Sequence, residues 1–172
     1  MIQIDQATLE KYPNREAELK GRMRAIEETV RGSTNNNFQR REKRFLTIVT
    51  NGALPGAPFW FQKGDTIQIT NSGANDGLYE VAAAAGGALT LDLTPDEGAV
   101  CTVTRIEYPP DVVAGANDML RWDIQYRPKV GVKSESLSRH TVTYLDLDAT
   151  NSRDGYPAAL TGFMNRHRKA RF

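Results

Sequence analysis

The hydrophobic period of this chain changes twice, and those two changes constrain the fold more than any single motif. Leu19, Met23, Ile26 and Val30 recur at i, i+4, i+7 and i+11, the spacing of one helical face. From Phe45 to Tyr108 the period drops to two, in short runs separated by turn residues. After Pro109-Pro110-Asp111 it returns to helical spacing through Val113, Ala116, Leu120 and Ile124, widened by Val112, Met119 and Trp122. A helical framework split by an inserted β module accounts for both changes. The expected class is therefore α+β: a small helical bundle interrupted by a small antiparallel β-barrel or sandwich. Residues 1–45 and 109–172 would form the discontinuous helical domain, and 46–108 the insert. Strands at 45–50 and 99–108 would lead the chain in and out, bringing the flanking helices together.

Local signals fill in the elements. Residues 5–12 predict a short helical turn stopped by Pro13. Asn14 is a good N-cap for a helix to about Val30, and residues 32–37 read as a turn-rich loop. Thr66-Ile67-Gln68-Ile69-Thr70 alternates with both isoleucines on one face. Asp76-Gly77 and Gly86-Gly87 predict tight turns, and Pro95-Asp96-Glu97-Gly98 turns into the last strand of the module. Pro110 suits the first turn of the second long helix, and Asp111 places a negative charge at its positive end. Residues 129–139 read as a polar loop, Thr141 to Leu145 as a short strand and 151–155 as a turn. Pro157 then opens a final helix with Leu160, Phe163 and Met164 inward and a basic end.

Composition excludes several classes. Cys101 is the single cysteine, so no internal disulfide can form, and with two histidines a four-ligand zinc site is not expected. Met1-Ile2-Gln3-Ile4-Asp5 lacks the basic stretch and apolar core of a signal peptide, and the longest apolar run, Val81 to Leu89, is too short to span a bilayer. The chain is expected to be soluble where it is made, without a membrane partner. Charge is uneven: residues 1–45 and 109–172 each hold 10 Lys/Arg against 7 Asp/Glu, whereas 46–108 hold 2 against 7. That contrast supports a separate module, and it suits complementary contacts between copies.

No catalytic constellation emerges. Ser138 and His140 lack a third partner, so a surface histidine beside a polar loop is the better reading. Asp146 and Asp148 alternate with Leu145 and Leu147, as on the solvent face of a strand end. Residues 71–77 lack the regular oxygen ligands of a calcium loop, and Gly52, Gly56 and Gly64 lack the Gly-Lys-Ser/Thr ending of a phosphate loop. The chain is expected not to be an enzyme and to need no cofactor or metal. Nucleic-acid binding has more substance, through the basic run from Arg166 to Arg171 and the aromatic cluster Phe59-Trp60-Phe61. The acidic character of the insert is the wrong sign for a phosphate-binding groove.

Two segments in the last third carry a family likeness. Arg127 and Pro128 lead into Gly131-Val132-Lys133-Ser134-Glu135-Ser136-Leu137, then Thr141-Val142-Thr143-Tyr144. Gly155-Tyr156-Pro157 follows, with Leu160 and the cluster Arg166, Arg168, Lys169 and Arg171. In this order they resemble the head-tail connector proteins of tailed bacteriophages, also called head-completion or adaptor proteins. The resemblance covers residues 109–172 and, loosely, the N-terminal helices; the insert lies outside it. It implies a homomeric ring, commonly twelve-fold in the virion, beneath the portal. One face would dock on the portal protein and the other receive the tail or a stopper protein, with the capsid as a further contact and DNA passing through the channel. The site of action would be the head-tail interface of the virion, reached from the host cytoplasm during assembly. Tyr156, Pro157, Leu160, Phe163, Met164, Arg166, Arg168, Lys169 and Arg171 would then be portal-docking residues. Lys129, Lys133, Ser134, Glu135, Ser136 and Arg139 would lie on a channel or inter-ring loop. The rival readings are a nucleic-acid-binding module built on the β module and basic tail, and a tail-completion protein.

Overall fold

The computed structural model describes residues 1–129, 134–137, 140–143 and 152–170. The chain is α+β and divides into two compact units: Ile2–Asn36 with Pro109–Phe172, and Asn37–Tyr108 with Met1.

In the helical unit, α1 (Gln6–Lys11) is capped by Asp5, whose carboxylate accepts from the Thr8 N–H at 2.7 Å. The next helix, α2 (Glu16–Thr34), buries the whole predicted stripe of Leu19, Met23, Ile26 and Val30. Its start and end both differ from expectation. Arg15, not Asn14, holds the N-cap position and makes no side-chain cap bond; Glu16 and Glu18 complement the helix dipole there instead. At the other end the helix runs through Gly32-Ser33-Thr34. Thr34 is fully buried and donates its hydroxyl to the Val30 carbonyl at 2.6 Å, and Asn35 ends the helix in the left-handed region at φ 48°.

Helix α3 (Pro110–Gln125) packs against α2. Its buried face comprises Val112, Ala116, Met119, Leu120, Asp123 and Ile124, while Val113 and Trp122 sit half-buried at its margins. A 3-10 turn, Arg127–Lys129, follows. The segment expected as a polar loop contains a strand, β7 (Ser134–Leu137), paired antiparallel with β8 (His140–Thr143). Antiparallel pairing gives the polar Ser-Glu-Ser backbone its partners, which composition alone does not reveal. Farther on, β9 (Ser152–Arg153) and β10 (Tyr156–Pro157) flank a turn at Asp154 and Gly155, both at positive φ. The final helix is a single α turn, α4 (Ala158–Thr161), tightening into a 3-10 segment, Gly162–His167.

The second unit is an antiparallel six-stranded sheet: β1 (Gln39–Ile48), β2 (Ala53–Pro55), β3 (Thr66–Thr70), β4 (Gly77–Ala85), β5 (Ala88–Leu91) and β6 (Val100–Ile106), in the order β1-β6-β3-β4-β5-β2. β1 begins six residues before Phe45, because charged residues at 40–44 pair with β6 across a register irregularity. The long β4 pairs with β3 through its first half and with β5 through its second, with a register shift between Val81 and Ala83. A bulge there bends the strand. Ala85 and Ala88 close the β4–β5 hairpin around Gly86 and Gly87, at φ 59° and 71°, the left-handed pair that a two-residue turn requires. The ends of the order meet without a continuous ladder, at one bridge between Thr50 and Ala53 and a 2.7 Å bond from the Thr47 hydroxyl to the Pro55 carbonyl. Ile67, Ile69, Val81, Leu89, Cys101 and Val103, with Phe61 and Leu54, form the core between the two halves.

Candidate functional site

The segment from Tyr156 to Ala170 carries most of the predicted contact residues, and the helical unit holds it at four places. Tyr156 is 6% exposed, its ring centroid 5.5 Å from that of Trp122. The Arg127 guanidinium lies 4.7 Å from the Tyr156 ring centroid, and the phenol donates to Asp123 Oδ1 at 3.4 Å. Asp123 is itself buried and accepts from Arg22 at 2.5 Å and from Arg127. Burial pushes the Tyr156 phenol above its ordinary pKa. One buried carboxylate thus ties α2, α3, the 3-10 turn and β10 together.

The second anchor is apolar. Met164 is fully buried, Leu160 and Phe163 are half-buried, and the Phe163 ring lies against Gly115 of α3, where no side chain intervenes. The third is Asp111, in the first turn of α3. His167 Nε2 lies 2.8 Å from its Oδ2 and Arg166 Nη2 3.3 Å away. The hydrogen bond with His167, aided by the charge of Arg166, holds the Asp111 carboxyl below the usual carboxylate range. Finally, the Lys169 N–H donates to the Thr34 carbonyl at 2.8 Å, Asn35 Nδ2 to the Ala170 carbonyl at 3.0 Å and Asn36 Nδ2 to the His167 carbonyl at 3.2 Å.

These contacts change what the segment offers. Tyr156, Phe163 and Met164, expected as docking contacts, are committed to the unit's own packing, since burying them here releases more water than a solvated arm would allow. Pro157 caps α4. The cations remain outside: Arg166 has 71% of its side chain exposed, and Arg168 and Lys169 are exposed. Of the loop candidates, Lys129 ends the 3-10 turn and Ser134, Glu135 and Ser136 lie on β7. Lys133, Arg139 and Arg171 lie outside the described residues, as do Ser138, Asp146 and Asp148. Asn35, Asn36, Gly115 and Asp123 had no sequence signal as anchors. Asp111 had one, its position at a helix start, which accounts for only half of its role.

In the β unit the aromatic cluster separates into three environments. Phe61 is core, Trp60 half-buried with its indole N–H unpartnered, and Phe59 90% exposed beside a shallow cleft formed by Ala57 and the β4–β5 hairpin. Leu46, Ile48 and Val100 form an exposed apolar group on the outer face of β1 and β6. Asp76, Asp92 and Asp96 gather near Tyr79, and their charges add to the effect of burial in raising its phenol pKa. Burial likewise pushes the Cys101 thiol up.

Among the described residues, no three His, Cys, Asp or Glu side chains come together as metal ligands would. Among the same residues, no helix is long and apolar enough to cross a membrane. The chain matches no protein-family model and no curated protein sequence.

Proposed function

We propose that this chain is a structural assembly protein that forms a ring beneath the portal of a tailed phage, completes the DNA-filled head and presents the surface to which the tail attaches. The observation that carries this reading is the C-terminal segment. It bears the connector-like Tyr156-Pro157 start, is anchored through its apolar residues, and turns Arg166, Arg168 and Lys169 to solvent. An anchored strap with an outward basic edge meets an acidic partner without first paying the entropy of ordering a free tail. Repetition around a ring would multiply modest contacts. The portal-docking role thereby narrows to the three exposed cations and Pro157. The partners would be copies of this chain, the portal protein and a tail-completion or stopper protein.

Imaging of particles assembled without this protein tests the reading. DNA-filled heads lacking tails, or heads that have leaked DNA, are expected; normal tailed particles rule it out. The nucleic-acid alternative draws on the 90% exposed Phe59, a stacking platform by geometry. It predicts DNA affinity that falls steeply with salt, and the acidic residues of the same unit weigh against it.

A further inference from the structure

We propose that the outer face of β1 and β6 is a self-association surface whose occupant is a second copy of this chain, related by a two-fold axis. The inference is independent of the ring reading, because it concerns the β unit that the connector likeness does not cover.

The face has an apolar centre that the fold does not use. Leu46 is 74% exposed, Ile48 51% and Val100 59%, with Ile48 and Val100 directly opposite in the ladder. The alternate residues on β1, Phe45, Thr47 and Val49, turn inward and meet the needs of the core. An outward strand face that carries leucine and isoleucine where polar residues would serve leaves apolar area for a partner.

Charge selects the partner. Arg44 continues the same outward row on β1, opposite Thr104, and both Arg41 and Arg44 are exposed and make no ion pair among the described residues. Asp96 and Glu97 lie at the other end, on the loop that leads into Val100. Glu97 accepts from the Asn51 and Gly52 N–H groups at 3.0 and 2.5 Å, which fixes it beside the end of β1. Asp96 is held through its backbone N–H by Asn75 Oδ1 at 2.7 Å, leaving its carboxylate without a cation among the described residues. The face is therefore basic at one end, apolar in the middle and acidic at the other. Turned by 180° onto a copy of itself, it places cation on carboxylate twice and apolar centre on apolar centre. That is the self-complementarity an isologous contact demands. A partner of uniform charge would match one end and be repelled by the other.

The centre is small against the roughly 800 Å² per partner of a standard interface, so the pair should associate in the micromolar range. Sedimentation of the full chain from about 1 to about 200 µM should show a monomer–dimer equilibrium that stops at the dimer. Ile48→Lys should abolish the dimer while the circular dichroism spectrum and thermal midpoint stay as in the parent, since the side chain lies outside the core. Arg44→Glu and Asp96→Lys should each weaken the dimer at least tenfold, and an equimolar mixture of the two should recover it. A chain that stays monomeric throughout the range overturns the proposal, as does a dimer that survives Ile48→Lys. Larger species that Ile48→Lys dissolves overturn the two-fold geometry.

Discussion

Replacing Gly115 with alanine tests whether the C-terminal segment is packed as firmly as its contacts imply. The new methyl carbon would stand 2.3 Å from two ring carbons of Phe163 and 2.8 Å from a third. Carbon atoms in contact prefer about 3.5–4.0 Å, so something must move. Helix α3 is fixed on the same side by Ala116, Met119 and Leu120, all fully buried, so the ring moves instead. In isolation the substitution favours the helix by about 1 kcal/mol. Overpacking costs about 1–3 kcal/mol, and a displaced half-buried ring loses part of its transfer energy besides. The expected balance is a net loss of about 1–2 kcal/mol. Equilibrium urea unfolding measures it, followed by Trp122 fluorescence in a Trp60→Phe background. That background removes the second indole, whose N–H makes no hydrogen bond. In the same background, Gly115→Ala combined with Phe163→Ala should be less destabilised than the sum of the two single changes, by about 1 kcal/mol or more, because the methyl then has room. A stabilised Gly115→Ala variant, or strict additivity with Phe163→Ala, would refute the packing argument.

Other expectations concern charge and caps. Asp123→Asn should cost about 2 kcal/mol in the same unfolding experiment; the value sits below that of a fully buried pair because Arg22 and Arg127 keep 32% and 42% of their side chains exposed. A loss under about 0.5 kcal/mol would mean that the carboxylate merely fills space. Glu107 is held below its ordinary value of 4.5, first by the hydrogen bond from Lys43 and then by that from Arg40. A lowered carboxylate contributes stability above 4.5 that disappears as pH falls through the lowered value, so the acid limb of the β unit's stability should be shallower in Glu107→Gln. An unchanged limb would show that this cluster is not coupled to folding. Asn35→Ala should cost about 1–2 kcal/mol through its left-handed backbone. Asn35→Gly should retain the helix end yet speed amide exchange at Lys169, since the bond to the Ala170 carbonyl is lost; unchanged exchange would show that the asparagine anchors nothing.

What the sequence revealed depended on where the period was strong. Strand Thr66–Thr70 and the stripe of α2 were legible because every apolar residue in them faces one core. The first half of β1 was not: Arg40, Arg41, Glu42 and Arg44 are exposed, so pairing with β6 rather than burial makes them a strand. Residues 32–34 looked like loop by composition, but tertiary packing around Thr34 carries α2 through them. The basic end of the C-terminal segment was visible as charge. Its anchoring was not, because Asn35 and Asn36 act through side-chain bonds to carbonyls 131 and 135 residues away, a separation at which no pattern survives.

The Glu107 N–H bonds to the Phe38 carbonyl at 3.0 Å, so the β unit begins and ends at neighbouring points. This bears on the order of folding. Bringing α2 to α3 in an unstructured chain means closing a loop of roughly seventy residues, at an entropic cost of about 4 kcal/mol. Once the sheet has formed, its two adjacent ends shorten that loop to a few residues. The inserted unit thus acts as a clasp in time as well as in sequence, and amide protection at Ile67 should precede protection at Leu120 in a pulse-labelling refolding experiment. The reverse order would show that the helices find each other unaided.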